Sequence, residues 1–461
     1  MSGPRYDLAI IGSGGAAFSA AIAARERDLR VLMIERGTVG GTCVNVGCIP
    51  SKALLAAAEQ RSRAAAQPFP GICTDEGPVD MAALVAGKNE IVASLRQEKY
   101  LDLAERYDIE LMHGEARFIG GPTLEVDGRG VDAAAYLIAT GSAPRIPDLP
   151  GVTASGYLTS TTAMELETLP RSLIVLGGSY VALELAQLFA HLGTDVTIVA
   201  RSRVARREEP EIADALRDAL TADGIRILER TTAHAVRRDG ACVTLSTDAG
   251  GFEAEQLLVA TGRRPQTDGL GLEAAGVEVG QDGAVLVDAQ LRTSSPRIWA
   301  AGDVTGHPQF VYVAARHGRT VVENAFDHAG RSVDYTALPR ITFTAPTIAS
   351  AGLTEVEARA RGLATDSRVL ELSAVPRAIV NRSTRGLAKL VAEQGSGRIL
   401  GVHLLADGAG DAILAGVYAI QAGMTVEQMA DSWNPYLTIG EAVHLAAQSF
   451  TRDPATLSCC A

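Results

Sequence analysis

The same order of strand, glycine turn, helix and strand occurs twice in this chain of 461 residues. In the first copy the apolar run YDLAII leads into the turn GSGGAA and an alanine-rich helix, and a second apolar run follows. A glycine turn between a buried strand and a helix N-terminus is typical of dinucleotide-binding domains, because the backbone can approach a pyrophosphate there. The residues predicted to form the first dinucleotide site are Gly12, Gly14, Gly15, Ala17 and Glu35.

The second copy starts at SLIVL and continues through the turn GGSYVA, a helix and the strand DVTIV. Two positions depart from the usual glycine pattern, since Ser179 takes the place of the second glycine and Ala182 that of the third. Both side chains are small enough to let the backbone approach a pyrophosphate at the helix N-terminus. We therefore predict a second dinucleotide site at Gly177, Ser179 and Ala182.

The residues that end the two units predict different cofactors. Glu35 can accept hydrogen bonds from a ribose diol, whereas Arg201 ends the second unit and Arg203, Arg206 and Arg207 follow it closely. Arginine at this position favours a 2′-phosphate. The first site therefore suits FAD and the second suits NADPH, with Arg201 and Arg207 as its phosphate ligands; the alternative is a solvated basic loop.

Three further apolar runs, LIATG, LVATGR and IWAAGD, end in glycine turns. The first two are typical of crossings between domains, and Asp303 in the third can face the ribityl chain and phosphates of a flavin. After residue 331 the glycine turns cease, and residues 340–344 and 399–405 predict strands of a separate domain. The cofactor-binding residues predicted in these turns are Ala139, Thr140, Gly141, Gly262 and Asp303.

These patterns together predict an α/β fold with two Rossmann-like dinucleotide-binding domains and a C-terminal α+β domain. Residues 1–145 and 265–335 form the predicted FAD-binding domain, and residues 146–264 form the NADPH-binding domain. Residues 336–461 form the C-terminal domain and carry the end of the chain.

Composition restricts the partners and the compartment. The formal net charge is -12, which argues against nucleic acid as a partner because phosphate contacts need clustered Lys and Arg. No apolar run reaches the ~20 residues of a membrane span. The start MSGPRYDLAIIGSGG lacks the pattern of a secretory signal, so the predicted compartment is the cytoplasm, where close cysteine pairs are more often catalytic or metal-binding than structural.

Two cysteine pairs lie towards opposite ends of the chain: Cys43 and Cys48, here called the dithiol, and the adjacent Cys459 and Cys460, here called the tail pair. Five residues of ideal helix rise roughly 7.5 Å, more than the usual Cα separation of a disulfide. The turn between Cys43 and Cys48 must therefore depart from helical geometry, which Gly47 permits, and a helix N-terminus would lower a thiol pKa. The dithiol predicts electron exchange with a flavin, and the tail pair predicts a soft ligand that captures a cargo.

The segment GGTCVNVGCIPSK, the two nucleotide units, both Ala-Thr-Gly turns and the Ala-Ala-Gly-Asp turn resemble the flavoprotein disulfide reductases over essentially the whole chain. The resemblance implies that Cys43 is the interchange thiol and that Cys48 is the thiolate that contacts the flavin. Gly41 and Thr42, immediately before Cys43, belong to the implied FAD-binding set.

Three more residues receive roles from this resemblance. Lys52 lies near the flavin N5 and also belongs to the cofactor-binding set, with Glu184 beside it. Tyr180 covers the nicotinamide pocket. The implied route of electrons therefore runs from NADPH through FAD to the dithiol.

The carboxyl end departs from the family members that reduce disulfides. Those members carry a His-Pro-Thr motif with a Glu five residues after the His, whereas NPYLTIGE places Tyr436 at the position of the His and keeps Glu441. A leaving thiolate needs a proton donor with a pKa near neutrality, and a tyrosine with a pKa of about 10 serves poorly. Disulfide substrates are thus disfavoured, and a soft thiophilic metal ion bound by sulfur ligands is favoured.

Within the family, the ending from NPYLT to LSCCA is similar to the members that reduce Hg(II). This similarity implies that Hg(II), exchanged off small thiols, binds the tail pair of one subunit and passes to the dithiol of the other. A homodimer with active sites at the subunit interface is part of the prediction. A further hypothesis is that Tyr180 and Tyr436 contact the ion or shape the pocket. Mercury transport proteins and organomercurial lyase are candidate donors of the ion, and the implied outcome is mercury detoxification.

Two alternatives stay open. Some large thioredoxin reductases also carry electrons through a C-terminal cysteine pair, but that function needs the missing His. A metal-sequestering thiol protein with a vestigial flavin site is the second alternative, which the intact glycine turns and Lys52 oppose. Cys73, Cys242, Trp299 and Trp433 are predicted to be packing residues without a catalytic role.

Overall fold

The computed structural model describes residues 5–452, and six sheets form within this range. The strands in chain order are β1 (Tyr6–Ile11), β2 (Val31–Glu35), β3 (Glu110–His113), β4 (Ala116–Gly120), β5 (Thr123–Val126), β6 (Arg129–Val131), β7 (Ala133–Ile138), β8 (Ser142–Pro144), β9 (Ser172–Leu176), β10 (Asp195–Val199), β11 (Arg226–Leu228), β12 (Ala233–Asp239), β13 (Cys242–Thr247), β14 (Gly250–Ala254), β15 (Gln256–Val259), β16 (Arg263–Pro265), β17 (Ile298–Ala300), β18 (Pro339–Thr342), β19 (Thr347–Gly352), β20 (Thr365–Glu371), β21 (Leu387–Glu393) and β22 (Ile399–Ala406).

The α-helices of the described range connect these strands and cover the sheets. In chain order they are α1 (Gly15–Arg25), α2 (Gly41–Asn45), α3 (Cys48–Ala65), α4 (Met81–Arg96), α5 (Asp102–Arg106), α6 (Ser160–Ala163), α7 (Tyr180–Leu192), α8 (Pro210–Ala222), α9 (Val311–Phe326), α10 (Glu355–Ala360), α11 (Pro376–Val380), α12 (Ala409–Ala422), α13 (Val426–Ala430) and α14 (Glu441–Gln448). None of the helices within residues 5–452 is long and apolar enough to cross a membrane.

The first glycine unit lies at the centre of a parallel sheet with the strand order β17-β7-β1-β2-β3. Strands β1, β2, β7 and β17 are almost continuously apolar because both of their faces are covered, and Leu8 and Ile10 of β1 are fully buried. The edge strand β3 is largely exposed. Helix α1 packs against α9 so closely that a Cβ on Gly318 would lie 2.1 Å from the Ala16 carbonyl oxygen. Gly318 on α9 is therefore what permits this approach to the backbone of α1.

The second glycine unit forms another parallel sheet, with the order β11-β10-β9-β15. Strands β9 and β10 have the bounds that the apolar runs predicted. The two Ala-Thr-Gly turns lead into β8 and β16, which pair with each other as an antiparallel ribbon. The chain segments that enter and leave the second sheet are therefore hydrogen-bonded side by side.

The C-terminal part of the described chain forms an antiparallel sheet with the order β18-β19-β22-β21-β20, against which α12 and α14 pack. Strand β22 occupies the predicted region, but β18 ends at Thr342, two residues before the predicted end. The reason is that the Phe343 and Ala345 backbone N–H groups donate to Glu184 and Gln187 of α7. These two donors therefore leave the sheet for the second nucleotide unit.

Two predicted packing residues are exposed. Trp299 is buried in β17 as predicted, and Cys242 is half-buried in β13. In contrast, Trp433 has a relative exposure of 104% and Cys73 is exposed, so the packing predictions for these two residues were wrong. Both lie in connecting segments, between α13 and α14 and between α3 and α4, rather than on an apolar face of a helix or strand.

Candidate active site

The dithiol lies at a break between two helices. Cys43 belongs to α2 and is half-buried, whereas Cys48 is the first residue of α3 and is exposed. Gly47 separates the helices with φ −126° and ψ −110°. A Cβ on Gly47 would lie 2.9 Å from the Thr42 carbonyl oxygen. The departure from helical geometry that the cysteine spacing predicts is therefore confirmed, and it requires glycine at this position.

The two thiols form a hydrogen-bonded pair of unequal acidity. The Cys43 thiol donates to the Cys48 sulfur, which lowers the pKa of Cys48 to about 7 with help from the Lys52 charge, against the opposing effects of burial and Glu184. The same hydrogen bond, together with burial, raises the pKa of Cys43. Just above neutral pH the dithiol therefore holds one thiolate, on Cys48, and one proton, on Cys43.

This pairing predicts the pH dependence of thiolate formation. In the reduced protein we expect the Cys48 thiolate to appear as pH rises through about 7, below the 9.0 of an ordinary thiol. Lys52→Met should move the midpoint upward, because it removes a cation and leaves the Glu184 carboxylate unpaired beside the thiolate. The ultraviolet absorbance of thiolate, corrected with Cys48→Ser, measures both midpoints. Equal midpoints in the wild type and Lys52→Met would contradict the assignment.

The ion pair beside the dithiol joins three parts of the chain. Lys52 lies one turn beyond Cys48 on α3, and its Nζ is 2.7 Å from Oε2 of Glu184 on α7. The other Glu184 oxygen accepts a hydrogen bond from the Phe343 backbone N at 2.8 Å. Lys52 Nζ also lies 4.6 Å from the centroid of the Phe343 ring. Because the Glu184 side chain is only 5% exposed, its charge depends on these partners.

The first glycine turn is too tightly packed for side chains. Gly12 has φ +106°, and a Cβ on it would lie 2.5 Å from the Ala139 carbonyl oxygen. Gly41 has φ +66°, and a Cβ there would lie 2.6 Å from the Gly14 Cα. The turn and the start of α2 thus present bare backbone to each other next to the N-terminus of α1. Such a surface fits the pyrophosphate of FAD.

Glu35 ends β2 and is held from two directions. The Ser13 hydroxyl donates to its Oε2 at 2.6 Å, and the Gly37 backbone N donates to its Oε1 at 2.7 Å. Gly15 and Ala17 lie in the first turn of the adjacent α1. A carboxylate oriented at the end of the second strand fits the hydroxyl groups of an adenosine ribose.

The first Ala-Thr-Gly turn connects β7 of the first sheet to β8, and the second connects β15 of the second sheet to β16. The first turn begins at Ala139 and is tied to Gln266, which accepts a hydrogen bond from Thr140 Oγ1 at 2.6 Å. The Gln266 backbone N donates to the Gly141 carbonyl at 2.9 Å. In the second turn Gly262 has φ +121°, a conformation that favours glycine.

Asp303 is oriented by residues that sequence analysis did not identify. The Ser142 hydroxyl donates to Asp303 Oδ2 at 2.7 Å and accepts from Arg263 Nε at 2.8 Å. The neighbouring Gly302 backbone N donates to Nδ1 of the fully buried His317 at 3.1 Å. Burial lowers the pKa of His317 to about 4, with help from His307, so the ring is neutral at physiological pH and can accept this bond.

The backbone geometry of the second glycine turn shows why glycine is needed at Gly177 but not at Ser179. A Cβ on Gly177, with φ +141°, would lie 2.2 Å from the Ala260 carbonyl oxygen, so glycine is required there. Ser179, the N-cap of α7, has φ −104° and ψ 175°, which any residue adopts. Ala182 is fully buried. Tyr180 is the first residue of α7 and is half-buried, and burial raises its pKa.

The arginines after β10 divide into two kinds. Arg201, Arg206 and Arg207 are exposed and make no hydrogen bond or ion pair to any residue in the range 5–452. Arg203, in contrast, is half-buried and lies 2.5 Å from an Asp214 oxygen on α8. Within residues 5–452, three of the four arginines are therefore left without an internal partner, and the fourth is paired with Asp214.

The segment before α14 carries an exposed aromatic side chain, and α14 itself begins with a buried acid. Tyr436 is 48% exposed, whereas Glu441 is buried and begins α14. Burial raises the pKa of Glu441, and its Oε2 has no hydrogen-bond partner among the described residues. The tail pair, Cys459 and Cys460, lies outside the described residues.

Two nucleotide-type parallel sheets, a dithiol at a helix break and an antiparallel C-terminal sheet define a flavin-linked dithiol oxidoreductase. Residues 6–318 match the family model described as pyridine nucleotide-disulphide oxidoreductase, and residues 338–447 match the dimerisation domain of the same family. The chain belongs to this family, and within it groups with the mercuric reductases. It is 58% identical to mercuric reductase from Streptomyces lividans, over 99% of this chain and 98% of that protein. It is 47% identical to mercuric reductase from Staphylococcus aureus, over 99% of this chain and 84% of that protein.

Solved structures show the same architecture. The Cu(II) complex of the HOCl-induced flavoprotein disulfide reductase RclA from Escherichia coli has a TM-score of 0.88 at 30% identity, covering 98% of this chain and 100% of that chain. LpdA from Mycobacterium tuberculosis has a TM-score of 0.86 at 26% identity, covering 97% of this chain and 100% of that chain. The predicted α/β fold, the membership of the flavoprotein disulfide reductases and the use of FAD with a nicotinamide nucleotide are therefore confirmed. The dimerisation-domain match supports a homodimer.

Proposed function

We propose that this protein catalyses the NADPH-dependent reduction of Hg(II) to Hg(0) in the cytoplasm, as a mercury detoxification enzyme. The observation that carries the proposal is the dithiol, in which a Cys48 thiolate accepts a hydrogen bond from the Cys43 thiol beside Lys52. A thiol and a thiolate so close together suit a soft, two-coordinate ion. Full-length similarity to mercuric reductases supports Hg(II) as that ion.

The chain divides, in this proposal, into the regions expected from the sequence. Residues 1–145 and 265–335 hold FAD, residues 146–264 hold NADPH, and residues 336–461 form the dimerisation domain with the tail pair. The first glycine turn and Glu35 would hold the adenosine and pyrophosphate of FAD, and Asp303 its ribityl side. FAD, when bound, supplies two-electron transfer between the nicotinamide and the dithiol. Tyr180 would cover the nicotinamide, and Lys52 and Glu184 would lie beside the flavin.

NADPH rather than NADH is the proposed donor. The end of β10 is where a dinucleotide-binding unit holds the adenosine ribose of its cofactor. The exposed arginines there are Arg201, Arg206 and Arg207. Guanidinium groups without internal partners are suited to bidentate contacts with a 2′-phosphate. Their freedom from ion pairs within the described chain supports this assignment over a purely structural role.

The dithiol's own part in the reaction is ligand exchange. The Cys48 thiolate attacks Hg(II) that carries two thiolates and displaces one of them, and Cys43 then displaces the second after losing its proton. The overall balance is that Hg(II) bis-thiolate, NADPH and one proton give Hg(0), NADP⁺ and two thiols. Because each exchange forms one mercury–sulfur bond as another breaks, the ion never has to be released into water.

The tail pair and the subunit interface complete the proposal. Cys459 and Cys460 of one subunit would take Hg(II) from small-thiol complexes, from mercury transport proteins or from an organomercurial lyase, and pass it to the dithiol of the other subunit. The exposed Leu414 and Tyr418 on α12 supply an apolar face within the dimerisation region. The exposed Tyr436 would then face the partner's dithiol and contact the ion or shape its pocket.

The decisive experiment is anaerobic NADPH oxidation by the purified protein with Hg(II) in excess small thiol, beside oxidised glutathione, lipoamide and thioredoxin. We expect turnover with Hg(II) and little with the disulfides, because Tyr436 replaces the proton donor that a leaving thiolate needs. Cys459→Ala/Cys460→Ala should lower the Hg(II) rate by about tenfold or more under excess thiol, since transfer then depends on direct capture by the dithiol.

The matched control is Cys73→Ala/Cys242→Ala, which removes the same number of thiols away from the proposed route. This variant should keep the wild-type rate. Robust turnover with a disulfide and none with Hg(II) would overturn the proposed function. Equal rates in the tail-pair variant and the wild type at every thiol concentration would remove the tail pair from the mechanism.

A further inference from the structure

A buried lysine in the C-terminal sheet contacts three carboxylates. Lys389 lies on β21 of the C-terminal sheet, and its side chain is 1% exposed. Its Nζ is 3.0 Å from Glu209, 2.9 Å from Glu211 and 3.2 Å from Glu355. The Glu209 side chain is likewise 1% exposed. Removing one partner from such a buried group leaves uncompensated charge, which strongly disfavours the native arrangement.

Glu208 and Glu209 directly follow the exposed Arg206 and Arg207, and both are held by the C-terminal sheet. Glu209 is held by Lys389, and its Oε1 also accepts from the Glu355 backbone N at 2.6 Å. Glu208 accepts from the hydroxyl of the buried Ser350, on β19, at 2.5 Å. Arg207 immediately precedes this doubly held pair. The C-terminal sheet therefore determines where the loop after β10 ends.

The other end of the loop is attached to the second glycine turn. The Ala205 backbone N donates to the Gly178 carbonyl at 2.8 Å, and the Val204 backbone N donates to Glu229 at 2.8 Å. Arg206 and Arg207 thus lie on the loop between two fixed points. One is the turn that would hold the pyrophosphate, and the other is the group of carboxylates that contact Lys389. Their own side chains remain exposed.

We propose that Lys389 is a positioning residue for recognition of the 2′-phosphate of NADPH, acting through Glu209 on the loop that carries Arg206 and Arg207. This inference rests on the proposed function of the arginines and adds the residue that positions them. Without the Lys389 charge, the three carboxylates repel one another and turn towards solvent, and the arginines shift away from the phosphate. NADH lacks the 2′-phosphate, so its binding does not depend on the position of the two arginines.

The test compares Lys389→Met with Lys88→Met in the flavin-loaded dimer. Lys88 is an equally buried lysine that contacts Glu165 and the Met164 carbonyl, distant in sequence from the arginine loop. We expect Lys389→Met to raise the KM for NADPH about tenfold, the effect of losing one charge-assisted hydrogen bond. The KM for NADH and both kcat values should change less than about twofold, and Lys88→Met should leave the NADPH to NADH ratio of KM values unchanged. Lys389→Arg should restore part of the preference. Equal effects on both nucleotides would overturn the inference.

A second measurement separates this inference from the proposed function. Hydrogen exchange of the peptide 201–209 without nucleotide should be faster in Lys389→Met than in the wild type or Lys88→Met. Exchange could be faster in Lys389→Met while neither the wild type nor Arg207→Ala prefers NADPH over NADH. This combination would refute the 2′-phosphate assignment alone. Unchanged exchange with an intact wild-type preference would refute the role of Lys389 alone. If Lys389→Met does not fold, Ser350→Ala, which frees Glu208, must give the same selective loss.

Discussion

Cys48→Ser is expected to lower Hg(II)-dependent NADPH oxidation by about a thousandfold or more, the size of effect seen when a member of a reacting unit is removed. The pKa of Cys48 is lowered to about 7, so a thiolate is available near neutral pH, whereas a serine hydroxyl stays protonated and is a poor ligand for a soft ion. Production of Hg(0) under anaerobic conditions measures the loss directly.

The control for this variant is Cys242→Ser, since Cys242 is a half-buried cysteine on β13 and is not part of the dithiol. It should retain the wild-type rate. A Cys48→Ser enzyme that keeps more than about a tenth of the wild-type rate would show that the dithiol is not the site of reduction.

Gly41→Ala is expected to weaken FAD binding by about a hundredfold. Gly41 has φ +66°, where an L side chain costs roughly 1–2 kcal/mol. The added Cβ would also lie 2.6 Å from the Gly14 Cα, so the start of α2 would have to move away from the glycine turn. The flavin absorbance of the purified protein and a titration with FAD measure the effect.

Gly276→Ala is the matched control. Gly276 has φ +70°, but a Cβ there would meet nothing within 4 Å. This variant therefore carries the same backbone strain without the collision. If both variants lose FAD equally, the cause is strain or reduced stability, and the close approach of α2 to the glycine turn is not what holds the cofactor.

The parts of the site that were predicted from the sequence depend on short-range patterns. Gly12, Glu35 and Gly177 belong to local strand-turn-helix units, whose hydrogen bonding and periodicity are determined by neighbouring residues. The break at Gly47 followed from the five-residue spacing of Cys43 and Cys48, which is too long for a disulfide along one continuous helix. Trp433 was mispredicted because a tryptophan side chain is usually largely buried. This one lies in a connecting segment rather than on an apolar face of a helix or strand.

The parts that could not be predicted are contacts between distant segments. Asp303 lies 161 positions from Ser142, and Glu209 lies 180 from Lys389. The contact between Lys52 and Glu184, 132 positions apart, was predicted only through the resemblance to the family, and the structure confirms it. No periodicity in one segment records the partner that packs against it. Their identities emerge only when the sheets are placed against one another.

The sequence by itself determined that this chain has two dinucleotide units, an acid at the end of one and arginines at the end of the other, and a cysteine pair beside the first. The resemblance to the family implied that Cys48 is the thiolate, but only the tertiary structure gave the physical cause, which is the hydrogen bond from Cys43 across the helix break together with the Lys52 charge. The tertiary structure also decided how the arginine loop is held, through Lys389 on a different sheet. The physical reason is that a buried charge is stable only beside its partners, and folding, rather than local sequence, brings those partners together.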